Sequence, residues 1–589
     1  MTGPGQAAGP GRVTRVSGPL VEVRGLASLA MSDIVEVGAY RLPGEVVAIS
    51  GDRATVQAYE YTGGLAPGDP ATGRGEPLSA RLGPGLLGGV FDGLLRPLRD
   101  AGAWLDPARP PGQGAADQQF AFTPQASEGA EVTAGACLGT VANPGGLRYR
   151  VLVPPGTGGV VGGLAPAGPA GASDVIATVG GQPVALTSSW PVRRPRPYAE
   201  RLDGGGPLQT GQRVLDVLFP VTRGGTSAVP GGFGTGKTVL LQQITKWSDA
   251  DVIVYVGCGE RGNELADLLT ELAGLADPRT GGKLAQRTVV IANTSNMPMM
   301  AREASIYSAA AVAEFFRDMG LHVVVVADST SRWAEALREF ASRNGEMPAE
   351  EGYPASLASA LAAFYERAGR VRTAGGWEGS ITIVGAVSPA GGDMTEPVTA
   401  YTQRFVRTLW TLDRDLAYAR HYPAISWAGS FSRDAEAIGN WHARNGDPGW
   451  AARRAGLSAL LADADRTGEL AELMGVTALP PRQRMSILGG RLVREALLQQ
   501  SAVSEADAYC DGPRAAALAD AVLAVAATCQ EVAARGADAG VIEEQDFSPV
   551  LRAKEDAATP EQVAARAAAM RATLEALAPA DGPGHEGPS

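Results

Sequence analysis

Between residues 11 and about 73 the chain alternates short apolar and polar runs, VTRVSGPLVEVRG, YRLPGEVVAIS and RATVQAYEYT, broken by Gly, Pro and Asp. Alternation of period two over such short runs predicts half-buried strands, and their spacing predicts a small N-terminal β-barrel over 11–75. The Gly- and Pro-rich stretch LGPGLLGGVFDGLLRPL leads out of it as a connector over 76–111. Residues 112–195 return to strand-like runs, including EVTAGACLGTV, YRVLVPPGTGGVVGGL and SDVIATVGG, and read as a β-rich insert. From 196 the rhythm changes. TSAVP, DVIVYVG, TVVIANT, HVVVVAD and SITIVGAVS are apolar runs of strand length, separated by amphipathic segments such as KTVLLQQITKW, NELADLLTELAGL and SRWAEALREFASR. Strands without a polar side must be covered on both faces, so a parallel sheet between helix layers is expected over 196–437. After 438 the chain is rich in Ala, Leu and Arg, has helical period and shows no strand signal, which predicts a helical C-terminal domain over 438–578. The Gly/Pro-rich ends, 1–10 and 579–589, are expected to be disordered tails.

Composition narrows the classes of partner. The 63 acidic residues outnumber the 51 basic ones, and a net charge of −12 supplies no general field for a phosphate backbone, which disfavours nucleic acid as the main partner. The start, MTGPGQAAGPG, lacks the charged and apolar regions of a signal peptide, and no run of 18 apolar residues occurs, so a soluble, cytoplasmic chain is expected. Cys137, Cys258, Cys510 and Cys529 are too scattered for a disulfide framework and form no C-x-x-C pair. Only Lys237, Lys246, Lys283 and Lys554 are lysines. The insert has the rhythm of a lipoyl- or biotinyl-carrier barrel, but no lysine precedes Lys237, so a structural or docking role is expected instead.

The chemistry gathers at the carboxyl ends of the sheet strands, where ligands bind such sheets. GGFGTGKT, formed by Gly231, Gly232, Phe233, Gly234, Thr235, Gly236, Lys237 and Thr238, fits the G-x-x-x-x-G-K-[ST] phosphate loop. Its glycines let backbone N–H groups close around phosphates, and the helix that follows turns its positive end toward them. Lys237 is expected to bridge the β- and γ-phosphates, and Thr238 to place its hydroxyl on Mg²⁺. Asp328 ends HVVVVAD, the position from which a carboxylate holds the metal through water; the alternative is a cap on the next helix. After DVIVYVG, a strand read as ending at 257, CGERGNE sets Glu260 at the sheet edge, where a carboxylate can polarise an attacking water. Arg261 can stabilise charge on the transferring phosphoryl group, a surface ion pair being the alternative.

PGGFGTGKT, VGCGERGNE, ANTSNMPMMAREASIY, ADSTSRWAEALRE and SPAGGDMTEPV, in this order, resemble the catalytic A subunit (alpha chain) of the V-type and A-type rotary ATPases and ATP synthases. The likeness extends through VSGPLVEV, LGPGLLGGVFDG and PLQTGQRVLDVLFP and covers nearly the whole chain except its tails. It implies a multidomain α/β chain with a RecA-like core, in which the insert distinguishes A subunits from non-catalytic B subunits. It further implies an alternating A3B3 hexamer with central shaft and peripheral stalk subunits, attached to a membrane ion-translocating sector at its cytoplasmic face. The implied reaction interconverts ATP and water with ADP and phosphate, with Mg²⁺, coupled to ion (proton) transport. A further arginine would come from the B subunit. Thr235 stands where eukaryotic relatives often carry a cysteine, so a thiol switch is absent there. The family's adenine pocket implies Tyr422 of HYPAISW as one aromatic wall, while QQSAVSEADAY puts Val503 where a second aromatic is usual.

Three other readings share parts of this pattern. A homohexameric protein-export ATPase has the same fold but a shorter chain without the insert. An RNA-translocating hexamer would need a basic channel. A non-catalytic subunit would have lost Lys237 or Glu260. If Val503 lines the base pocket, Val503→Phe tightens ATP binding; an unchanged Kd in a titration with fluorescent nucleotide would remove Val503 from that wall.

Overall fold

A computed structural model describes residues 11–26, 28–99, 101–102, 105, 118–142, 146–277 and 280–579. The expected tails, apart from Pro579, and the passage from connector to insert at 106–117 lie outside the described residues. The chain divides into two compact units: Met1–Asp203 with Ala250–Ser388 and Asp393–Phe405, and Gly204–Asp249 with Pro389–Gly392 and Val406–Ser589.

The first unit begins with a closed barrel of Gly11–Ser17, Leu20–Arg24, Asp33–Val37, Leu42–Ser50, Arg53–Ala58 and Pro70–Pro77. Alternate positions supply its interior, where Val13, Val21, Val23, Val35, Val37, Val46 and Val56 are buried together. Two four-stranded antiparallel sheets form the insert. Its exit strand Ser188–Pro191 pairs with Ser79–Leu82 of the connector, so insert and connector meet at their roots.

The central sheet of this unit runs in the order Val90–Phe91, Thr288–Thr294, Val252–Glu260, His322–Asp328 and Glu378–Val387, all parallel. Gly369–Arg372 and Glu200–Leu202 extend it antiparallel. Every residue of Val252–Glu260 is buried, which accounts for the unbroken apolar run in the sequence.

The long helix Met299–Asp318 is Ala-rich and almost wholly buried, and packs against Val252–Glu260 and His322–Asp328. Its three buried carboxylates are each answered by arginine. Arg193 donates to both oxygens of Glu303, at 2.9 and 2.7 Å, and reaches Glu45 of the barrel at 3.1 Å. Arg196 and Arg317 share Asp318 at 2.7 and 2.6 Å. Arg367 grips Glu314 through two bonds of 2.5 and 2.7 Å. Arg193 and Arg196 both belong to PVRRPRP, the segment leaving the insert, so ion pairs fasten the insert's root to the helix beside the sheet.

In the second unit Thr226–Pro230 pairs parallel with Thr408–Leu409, which pairs antiparallel with Phe431–Ser432. The chain then turns helical, with Ala435–Arg444, Trp450–Met474, Pro481–Leu492, Gly512–Ala534 and Pro560–Glu575 the main elements. Among the described residues Gly512–Ala534 is the one helix long and apolar enough to cross a membrane by length and composition, although no uninterrupted apolar run marks it in the sequence. The fold buries 56% of its apolar window, and the helix packs against Pro560–Glu575, so it serves as a core helix. Asp511 caps its start by accepting from Arg514 N at 2.8 Å.

Removing one partner of a buried ion pair leaves the other charge uncompensated. Glu314→Leu is therefore expected to cost about 3–5 kcal/mol in urea unfolding. Glu314→Leu with Arg367→Leu should recover a large part of that loss; a double variant as unstable as the single one would show that the pairing is not the source.

Candidate active site

The phosphate loop lies in the second unit, between the strand Thr226–Pro230 and the helix Lys237–Trp247. Gly234 and Gly236 adopt φ of +81° and +88°, a left-handed backbone that L side chains rarely adopt. Gly236 stands at the helix N-cap and, having no side chain, makes no side-chain cap there. Thr235, 2% exposed, donates its hydroxyl to Gly232 O at 2.9 Å and braces the loop from within. Lys237 Nζ lies 3.3 Å from Gly231 O, folded back along the loop. Phe233 projects outward, 94% exposed.

Behind the loop is a cavity of about 460 Å³, walled on one side by Gly236, Val239, Leu240 and Gln243 and on the other by Tyr422 and Val503. Tyr422 leans on the loop, since a Cβ added at Gly236 would sit 3.4 Å from its ring. Gln500 N donates to Tyr422 O at 2.8 Å, so the two segments read as HYPAISW and QQSAVSEADAY are joined by a backbone bond. Val503 is 96% exposed and leaves its side of the cavity open.

The carboxylates belong to the first unit. The strand read as ending at residue 257 continues to Glu260, and its pairing with Thr288–Thr294 slips by one residue between Cys258 and Glu260. Gly259, at φ +74°, supplies the left-handed residue that this bulge needs. Glu260 is thus the last residue of a bulged strand, 8% exposed. Asp328, 1% exposed, ends the neighbouring strand and accepts a hydrogen bond of 3.1 Å from Tyr255. The N-cap of the next helix, Thr330–Arg343, falls on Ser329, so Asp328 stands outside that helix. Burial first, then the nearby Asp328 carboxylate, pushes the Glu260 carboxyl up to about 7, against the opposing pull of Arg332.

Arg332, whose Nε is 3.3 Å from Glu260 Oε1, escaped the sequence reading. The signal was available in ADSTSRW: a residue four beyond the strand-ending Asp falls in the first turn of the following helix. Arg261 sits differently. It is the N-cap of Gly262–Gly274, 61% exposed at its side chain, and only 3.9 Å from Glu264. Glu260 and Arg261 therefore do not pair with each other; each has its own partner.

A phosphate loop feeding a helix, with acidic residues ending buried parallel strands, defines a RecA-like phosphate-loop nucleotide-binding protein. Four family models match in chain order. They are the beta-barrel domain of the ATP synthase alpha/beta family over 13–75, the alpha/beta subunit barrel-sandwich domain over 115–193, the family's nucleotide-binding domain over 211–432, and the C-terminal domain of V and A type ATP synthase over 439–530. The chain is 50% identical over 511 residues to the V-type ATP synthase alpha chain of Anaeromyxobacter dehalogenans strain 2CP-C, covering 86% of this chain and 88% of the relative. It is 49% identical over 529 residues to the V-type ATP synthase alpha chain of Nitrosococcus oceani, covering 87% and 89%. The corresponding A-type ATP synthase chain of Staphylothermus marinus is 48% identical over 514 residues, covering 86% and 87%. The assembled ATPase EscN of the enteropathogenic E. coli type III secretion system is similar in fold, with a TM-score of 0.62 at 22% identity over 87% of this chain and all of that one.

The chain belongs to the family of V-type ATP synthase alpha chains and their A-type counterparts, the catalytic subunits of rotary, ATP-hydrolysing and ATP-synthesising enzymes.

A carboxyl with a raised pKa is protonated through most of the acid range and ionises only near neutrality. Its contribution to stability is present below its ordinary value of 4.5 and is lost as pH rises through about 7. Infrared difference spectra of wild type minus Glu260→Gln should show the carboxyl band converting to carboxylate with a midpoint near 7. Arg332→Met removes the charge that favours the ionised form and should move the midpoint upward. A midpoint near 4.5 would mean that Glu260 is solvated.

Proposed function

We propose that Lys237, Thr238, Glu260, Arg261, Arg332 and Asp328 carry a phosphoryl transfer between ATP and water in a site completed by a neighbouring B subunit. The backbone N–H groups of Gly231 to Thr238 hold the phosphates, with Lys237 as a point charge against the β- and γ-phosphates. Ionised Glu260 accepts a hydrogen bond from the attacking water and takes its proton as the bond to the γ-phosphorus forms and the bond to the ADP oxygen breaks. Synthesis is the reverse, with Glu260 returning the proton. Arg332 keeps the Glu260 carboxylate in place, while Arg261, exposed and weakly paired, is available to charge building on the phosphoryl oxygens.

Magnesium fits the donors present. Thr238 and Asp328 offer the hard oxygens that Mg²⁺ takes, and with phosphate oxygens and water they would hold it. Bound with the nucleotide, Mg²⁺ neutralises charge on the phosphate oxygens. Tyr422 and Val503 are assigned to the base.

The observation that supports this reading most strongly is the placing of Glu260, a buried carboxyl at the end of a bulged strand, where burial and the nearby Asp328 push its ionisation up to about 7. Membership of a rotary ATP synthase family supports the rest of the reading: we take the chain to be one of three A chains alternating with B chains in an A3B3 hexamer with shaft and stalk subunits, peripheral to a membrane sector at its cytoplasmic side and coupled to ion transport, the proton being the ion favoured. The likeness to EscN, at 22% identity, is one of fold and does not favour the protein-export alternative.

Mg²⁺-dependent ATP hydrolysis should appear when the purified chain is mixed with its B partner and fall by about a hundredfold or more in Glu260→Gln. Full activity of the chain alone would indicate a self-sufficient homohexamer and overturn the proposal.

A further inference from the structure

The helix Pro481–Leu492 continues through Val493–Leu498 and ends immediately before Gln499, where the segment leading to Val503 begins. The last carbonyls of a helix have no partner within it and carry its negative end. Here they are met by two cations from distant parts of the sequence. Arg213, fully buried, donates to Leu497 O and Gln499 O, both at 2.7 Å, and pairs with Asp507 at 2.6 Å. Lys554 comes from the short turn Ala553–Asp556, beyond the stretch matched by the family's C-terminal domain. Its ammonium donates to Glu495 O at 2.7 Å, Gln499 O at 3.2 Å and Gln499 Oε1 at 3.3 Å.

An ammonium has three protons and no acceptor, and these three oxygens use them all. Lys554 lines the cavity shared by Tyr422 and Val503, yet it has no proton left for a ligand there. It can act on a bound base only through the residues it holds. Gln499 is the first residue after the helix, and its carbonyl and side chain are both fastened to Lys554, so the ammonium sets where the chain turns toward Val503.

We infer that Lys554 is a positioning residue for nucleotide base binding: it fastens the C-terminal turn to Gln499 and so fixes the wall of the cavity that carries Val503. This rests on the assignment of that cavity to the base. Replacing the ammonium with an isosteric apolar side chain takes this donor from Glu495 O and Gln499 Oε1 and leaves Gln499 O to Arg213 alone, and the wall loosens while the phosphate loop, on the cavity's other side, is untouched.

The test uses the chain assembled with its B partner, with ATP as substrate and inorganic tripolyphosphate, which has no base, as competitive inhibitor. Lys554→Met should raise KM for ATP about tenfold, the size of one lost charged hydrogen bond, leave kcat within about twofold, and leave the tripolyphosphate Ki unchanged. Lys554→Arg should bring KM most of the way back. An unchanged KM in Lys554→Met, or KM and Ki rising together as in a general loosening of the unit, would overturn the inference. Tyr422→Ala, measured in parallel, separates the two layers: if it leaves KM unchanged the cavity does not take the base, whereas a raised KM there with a normal Lys554→Met sinks the role of Lys554 alone. If Lys554→Met yields no assembled complex, Gln499→Met removes a single acceptor and should shift KM in the same direction by a smaller factor.

Discussion

A strand whose two faces are both covered can present a polar group only at its ends. Val252–Glu260, His322–Asp328 and Thr288–Thr294 are buried nearly throughout, so the places where they can carry chemistry are their last residues. Glu260 and Asp328 are such residues. The same burial that keeps the sheet together also strips water from these carboxyls, and the perturbed ionisation of Glu260 follows from its being the end of a core strand. Fold and reactivity in this half of the molecule therefore have one cause.

The elements read from periodicity and those observed agree closely where a segment is short, apolar and bounded by Gly or Asp. Thr226–Pro230, Lys237–Trp247, Thr288–Thr294 and His322–Asp328 coincide with their predicted limits. The barrel, the β-rich insert and the helical C-terminal region are likewise as expected, each from its own period. What was hidden is of another kind. The strand bearing Glu260 runs three residues further than its apolar pattern, because a bulge at Gly259 carries the pairing past the glycines that seemed to end it. Arg332 has no pattern of its own and becomes visible only when a strand end and the first helical turn are set side by side. Lys554 is more remote still: it lies 55 residues beyond the side chain it holds, in a turn without any motif. The grouping of residues 204–249 with the C-terminal helices is equally non-local, being written in bonds such as Arg213 to Asp507.

Arginine takes most cationic roles in this chain, and the structure shows what that means for a buried charge. Arg367 and Arg193 each meet a carboxylate with two donors, which a lysine could not do with the same fixed fork. Where three convergent oxygens need a compact tripod at a helix end, the chain uses one of its few lysines, Lys554. Residue type follows the shape of the acceptor set.

The root of the insert joins three parts of the chain. Arg193 and Arg196 attach it to Glu303 and Asp318, which lie fifteen residues apart on one helix, and Glu45 adds the barrel to the same knot. The insert is thus tied to a buried helix packed on the sheet. That helix starts five residues after Thr294, the partner of Glu260 in the sheet. The insert's root is thereby joined to the strand end that carries Glu260 through one buried helix and a short connection, with the barrel tied in at the same point.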